Sequence, residues 1–105
     1  MDELAKIKQL CVARQIQMTE HALKRAIERS INFERDLVPT LLSGKIIEEY
    51  PDDYPYKSYL ILGTTINQKY MHVVCAIGDN ILWIITAYFP DKKEWEDDLK
   101  TRKEL

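Results

Sequence analysis

Along this chain the spacing of apolar residues changes character at Gly44. Before it the spacing is helical. Leu4, Ile7, Leu10 and Cys11 share one helix face, so DELAKIKQLCVARQI predicts a first helix over 2–16. Thr19 is a favourable N-cap for a second helix over 20–29, with Ala22, Leu23, Ala26, Ile27 and Ser30 as its buried stripe. Asn32 caps a third helix over 33–43, which Gly44 closes. Pro39 falls inside that helix and predicts a kink, or a break after the first turn. After Gly44 come KIIEEY, SYLILGTT, KYMHVVCAI and ILWIITAYF, four runs rich in β-branched and aromatic residues with turn residues between them. The tail, DKKEWEDDLKTRKEL, reads as a terminal helix with Trp95 and Leu99 on one side.

This order predicts an α+β fold: N-terminal helices packed on one face of a four-stranded antiparallel β-sheet, followed by a C-terminal helix. The whole chain, 1–105, reads as one domain with a core at about 18–95 and helical extensions at both ends. A turn at Gly78-Asp79-Asn80 would set Ile77 opposite Ile81, and so give a uniformly apolar face of Met71, Val73, Cys75, Trp83 and Ile85 under the helices. The opposite face would then pair His72 with Thr86 and Tyr70 with Tyr88. A turn at Asn67-Gln68 would add Gly63 beside His72, where a missing side chain lets another molecule approach.

Composition narrows the function classes. The hydrophobic fraction of 46% supports a real core, and no apolar run reaches membrane-spanning length. The N-terminus lacks a signal-peptide apolar block, which predicts a cytoplasmic protein. Cys11 and Cys75 have no CxxC partner and read as ordinary thiols; with only two histidines no metal site is expected. The net charge of −2 gives no global attraction to nucleic acid. It is unevenly spread: +2 over residues 1–29, −3 over 30–90 and −1 over 91–105. Any nucleic-acid surface must therefore be local.

Two groupings carry chemistry. In MTEHALKRAIERS, residues 21, 25 and 29 lie at i, i+4 and i+8, so His21, Arg25 and Arg29 form a row along one helix flank. Such a row suits an anion, or is simply solvated. The second grouping is His72 with Thr86, Tyr70 and Tyr88 at one end of the open sheet face, which is equally readable as a satisfied strand histidine. Glu48, Glu49, Asp52 and Asp53 read as a solvated acidic edge or a docking strip for a basic segment.

The blocks TEHALKRAIERSI, LLSGKIIEEYPDDYPY, YLILG, HVV and TAYFPDKKEW resemble the bacterial domain of unknown function numbered 4258 over about residues 18–95. That family is thought to be related to RelE/MqsR-like toxins of toxin–antitoxin systems. The resemblance implies a compact RelE-like α+β fold and metal-independent cleavage of messenger RNA, with no cofactor. The implied partners are a cognate antitoxin, such as a small zinc-finger MqsA-like protein, and RNA; self-association at the KIIEEY edge is a further expectation. Ser30 stands where the family usually has Gly, and the acidic pI of about 5.7 departs from the basic toxins. Cleavage by the RNA's own 2′-OH needs a base, a leaving-group acid and cations. His72 and His21 are the candidates for acid or base, and Arg25, Arg29 and Lys57 for the phosphate. Tyr88 and Tyr70 are candidates for base stacking, with Tyr88 also a proton donor. A non-catalytic protein- or RNA-interaction module on the same fold is the alternative.

Overall fold

A computed structural model of the chain describes residues 2–104. Helix α1 spans Glu3–Val12, and the Asp2 carboxylate accepts from the Ala5 N–H at its start. It ends at Val12 instead of running to 16, because Arg14 takes a left-handed φ of 60°. The Arg14 N–H and guanidinium both donate to the Cys11 carbonyl, at 3.1 and 3.0 Å, and so satisfy a helix-end acceptor. The chain then enters strand β1 (Ile16–Met18), which three residues are too few to announce by any period.

Helix α2 spans Glu20–Glu28, with the Thr19 hydroxyl accepting from the Ala22 N–H at 3.1 Å as the capping rule predicts. Its buried stripe is narrower than the spacing predicts. Ala22 and Ala26 are buried, but Leu23 and Ile27 are 51% and 71% exposed, and Ser30 is exposed too. Two alanines suffice because α2 meets the sheet mainly along its last strand. The helical run does not break at Pro39; it passes from π to α form just before it. Residues Phe33–Leu37 form a π-helical turn capped by Asn32, and α3 (Val38–Ser43) then starts with Pro39 in its first turn, where the missing N–H costs nothing.

The four predicted strands are present as β2 (Lys45–Tyr50), β3 (Ser58–Thr64), β4 (Tyr70–Gly78) and β5 (Ile81–Tyr88). The sheet nevertheless has five strands, in the order β1-β5-β4-β3-β2, with β1 parallel to β5 and the other pairs antiparallel. The α+β class holds; the four-stranded, wholly antiparallel sheet does not.

Both hairpin registers differ from the expectation. Asp79 and Asn80 have φ of 54° and 60°, the pattern of a two-residue type I′ loop, so Gly78 faces Ile81. A bulge beside Val74 then shifts the ladder again and sets His72 opposite Tyr88. Met71, Val73 and Cys75 do face the helices, but they are joined there by Leu82, Ile84 and Ala87. Trp83 and Ile85 fall on the other face, because a one-residue slip exchanges faces. At the other hairpin the loop runs from Thr65 to Lys69, and Leu62, not Gly63, faces His72. Gly63 lies under α3, where a Cβ would stand 2.1 Å from the Thr40 carbonyl oxygen. The glycine admits the protein's own helix, not another molecule.

The C-terminal helix is also absent. Residues 90–104 form a strap of turns, with Trp95 bridged to Arg102 across it. Asp98 explains the failure. Its carboxylate accepts from the Lys100 and Thr101 N–H groups at 3.0 Å each, a local bond pattern that competes with helix. Trp95 and Leu99 still share a side, and that side packs on Leu60 and Leu62 across the sheet face opposite the helices.

Candidate functional site

His72 projects from β4 into this second face and is fully buried. Its Nε2 lies 2.7 Å from the Leu99 carbonyl oxygen and its Nδ1 3.2 Å from the Tyr88 hydroxyl. A carbonyl can only accept, so Nε2 carries the proton and Nδ1 accepts from Tyr88. The Trp95 and Tyr88 rings stand edge-on to the imidazole, with centroids 4.5 and 5.2 Å away. Burial pushes the His72 pKa below the usual histidine range, against the opposing pull of the Leu99 carbonyl and Glu48. The ring is therefore neutral near pH 7.

Glu48 approaches from β2. It accepts from the Tyr50 hydroxyl at 2.5 Å and from Arg102 at 2.9 and 3.2 Å. Burial alone would raise its pKa, but these donors outweigh burial and hold the carboxyl below its ordinary value. Burial and the adjacent carboxylate push Tyr50 up to about 12. The Arg102 guanidinium also lies 4.6 Å from the centre of the Trp95 ring. Arg102 thus ties the strap to β2 while bracing the residue that closes over His72.

Arg29 reaches the same end of the sheet from the close of α2. Strand β1 ends at Met18, so among the described residues the outer edge of β5 has no strand neighbour beyond Ile84. There Arg29 donates to the Ala87 carbonyl at 2.8 Å and stands 3.5 Å from the Thr86 hydroxyl. Tyr88, half-buried, is the next residue. Burial raises the Tyr88 pKa, and the charges of Arg102 and Arg29 pull it down.

The other candidates are dispersed. His21 is exposed at the start of α2. Arg25 pairs with Glu28 at 2.9 Å on the exposed flank of α2. Lys57 pairs with Glu49 at 2.5 Å. Tyr70 is 54% exposed and lines an open cavity of about 490 Å³ with Lys45, Lys100 and Asp98. The structure brings together His72, Tyr88 and Arg29 only. Glu48, Tyr50, Trp95, Leu99 and Arg102 join that group without having been singled out for it. Their signal, the Trp95/Leu99 spacing and the alternation of Glu48 and Tyr50, was visible but carried no distance information.

Both thiols are free and buried, and burial pushes Cys75 up to about 12, too high for a nucleophile at neutral pH. Among the described residues no three His, Cys, Asp or Glu side chains gather as a metal site, and no helix is long and apolar enough to cross a membrane.

Residues 18–89 match the family model described as Domain of unknown function (DUF4258). The chain belongs to this family. The match begins at the last residue of β1 and ends just after β5, so in this DUF4258 chain α1 and the strap lie outside the matched span. His72, Tyr88 and Arg29 lie inside it, whereas Trp95, Leu99 and Arg102 do not. No curated protein and no solved structure matches the chain.

Proposed function

We propose that this chain is an RNA-cleaving toxin of the toxin–antitoxin kind, acting at the rim of the strap, where Arg29 is bonded to the residue that precedes Tyr88. The observation that carries this reading is the hydrogen-bonded Tyr88–His72 pair next to an arginine fixed on β5. In this scheme Tyr88 takes the proton of the RNA 2′-OH as its own proton passes to His72 Nδ1. The 2′-oxygen attacks the adjacent phosphorus, and the P–O5′ bond breaks. The leaving oxygen takes a proton from water, and His72 returns its proton through Tyr88 to the hydroxide that this leaves. Burial keeps the imidazole in the neutral form this relay needs. Arg29 offers a planar fork to the phosphorane charge. Arg25 and His21 extend along α2 as further backbone contacts, and Tyr70 offers an exposed ring for stacking. The scheme needs no metal or cofactor.

The test is RNA integrity with purified protein in EDTA, alongside growth on expression. Tyr88→Phe and Arg29→Gln should each slow cleavage, the former by roughly 10²–10⁴-fold. Intact RNA with the wild type would end this reading.

A second reading rests on a specific feature: both His72 nitrogens are satisfied within the chain and Trp95 closes over them. The group then anchors the strap, and the protein is a non-catalytic protein- or RNA-interaction module. Tyr88→Phe would then cost about 0.5–1.5 kcal/mol of stability and change nothing else. On either reading a cognate antitoxin, zinc-finger or otherwise, remains the proposed partner, and pairing between copies along the β2 edge the proposed self-association.

A further inference from the structure

The strap covers only one end of the second sheet face. At the other end Ala76 and Trp83, paired across β4 and β5, and Ile85 form the floor of a cavity of about 540 Å³. The loop carrying Asp53, Tyr54 and Tyr56 forms one wall, and Thr19 closes the opposite side. This cleft belongs to neither the His72 group nor the strap.

Its walls are held in place. The Tyr56 ring lies over Gly78, where a Cβ would come within 2.0 Å of it, and its hydroxyl donates to Asp79 at 2.9 Å. Trp83 Nε1–H donates to the Gly78 carbonyl at 3.2 Å, so the indole's one donor is already used and the ring itself is what remains. Asp53 accepts from the buried Ser58 hydroxyl through one oxygen, and among the described residues the other has no hydrogen-bond donor. Tyr54 is 94% exposed at the mouth.

The electrostatics select an occupant. No residue lining the cleft carries a positive charge. Asp53 lines it, Asp79 supports it through Tyr56, and Lys57 at the end of the same loop is engaged by Glu49. An apolar side chain would leave the Asp53 carboxylate desolvated and unpaired. A nucleotide would bring its phosphate towards Asp53 and Asp79. A guanidinium fits both halves of the site, stacking on tyrosine and tryptophan faces while its fork meets a carboxylate. We propose that the cleft between the Asp53–Tyr56 loop and Trp83 receives an arginine side chain from a basic segment of a protein partner. The proposal does not depend on RNA cleavage; a chain that leaves RNA intact would still bind.

The test is titration of the full chain, followed by the Trp83 indole N–H resonance, with three probes: a capped alanine–arginine–alanine tripeptide, its citrulline counterpart and guanosine monophosphate. The arginine peptide should move the resonance saturably. Citrulline, equal in shape but uncharged, should bind at least about tenfold more weakly. Asp53→Asn keeps an acceptor for Ser58 and should weaken the arginine peptide by a similar factor. Tyr54→Ala changes an exposed residue and should weaken it without altering the fold. No saturable shift with the arginine peptide, equal binding of citrulline, preference for the nucleotide, or unchanged binding by Asp53→Asn would each overturn the proposal.

Discussion

The two faces of the sheet are covered in different ways. Among the described residues, the face under the helices carries a continuous core of seventeen buried hydrophobic residues, from Ile7 and Leu41 to Val73 and Ile84. The strap face holds four, Leu60, Leu62, Trp95 and Leu99, and supplements them with polar bonds: His72 to Leu99, and Glu48 to Arg102. Leu99 even adopts a left-handed φ of 59°, a conformation unfavourable for a branched side chain. The helical cover cannot leave without unfolding the domain, because its residues are the core. The strap makes fewer apolar contacts and can lift as a local event. The His72–Tyr88 pair lies beneath the cover that is easier to open.

The largest expected effect lies on the helical face. Ile84→Ala should cost about 2–5 kcal/mol in denaturant unfolding, because Ile84 is fully buried and its neighbours cannot close the void. Trp95→Ala removes the largest buried side chain of the other face, yet should cost less than Ile84→Ala. Once the strap detaches, nothing further is lost, so the loss is capped by the free energy that holds it down. An equal or greater loss would mean that the strap is part of the cooperative core.

A pH titration separates the polar side of the comparison. The folded His72 pKa lies below its ordinary value of 6.5, so between those two values the unfolded chain binds more protons. Its contribution is fully present above about pH 6.5 and is lost as pH falls below it. Glu48 and Asp36, both depressed, contribute above their ordinary values of 4.5 and 3.8 and lose that contribution at still lower pH. Stability should therefore decline from near pH 6.5 downwards, and His72→Gln should remove the first part of the decline. The smallest effect is expected at Arg102. Its side chain is 55% exposed, so Arg102→Gln should cost about 0.2–1 kcal/mol, less at high salt.

What was legible in the sequence follows the same division. Caps and strand-forming runs are local, so Thr19, Asn32 and the four long strands are legible directly. Register is not local. The type I′ loop at Asp79-Asn80 and the bulge beside Val74 each move the β4–β5 pairing by one residue, and neither leaves a mark in the alternation of apolar residues. That is why Trp83 and Ile85 changed faces, while Met71, Val73 and Cys75, on the neighbouring strand, did not. The pairing of His72 with Tyr88 emerged from the corrected register and not from the predicted one, which had set His72 against Thr86. The helical spacing of Trp95 and Leu99 predicts a helix for the strap, but Asp98 spends its carboxylate on local N–H groups. Its docking on the sheet depends on contacts more than twenty residues distant, such as His72 with Leu99, which no short pattern encodes.

Native-state hydrogen exchange tests the difference between the two covers most directly. The Trp95, Glu96 and Leu99 amides, bonded only within the strap, should exchange through an opening that costs clearly less than global unfolding, whereas the amides of β3, β4 and β5 exchange only as the whole domain unfolds. Strap amides as strongly protected as those of β4 would contradict the account, and would make the strap a structural layer equal to the helices.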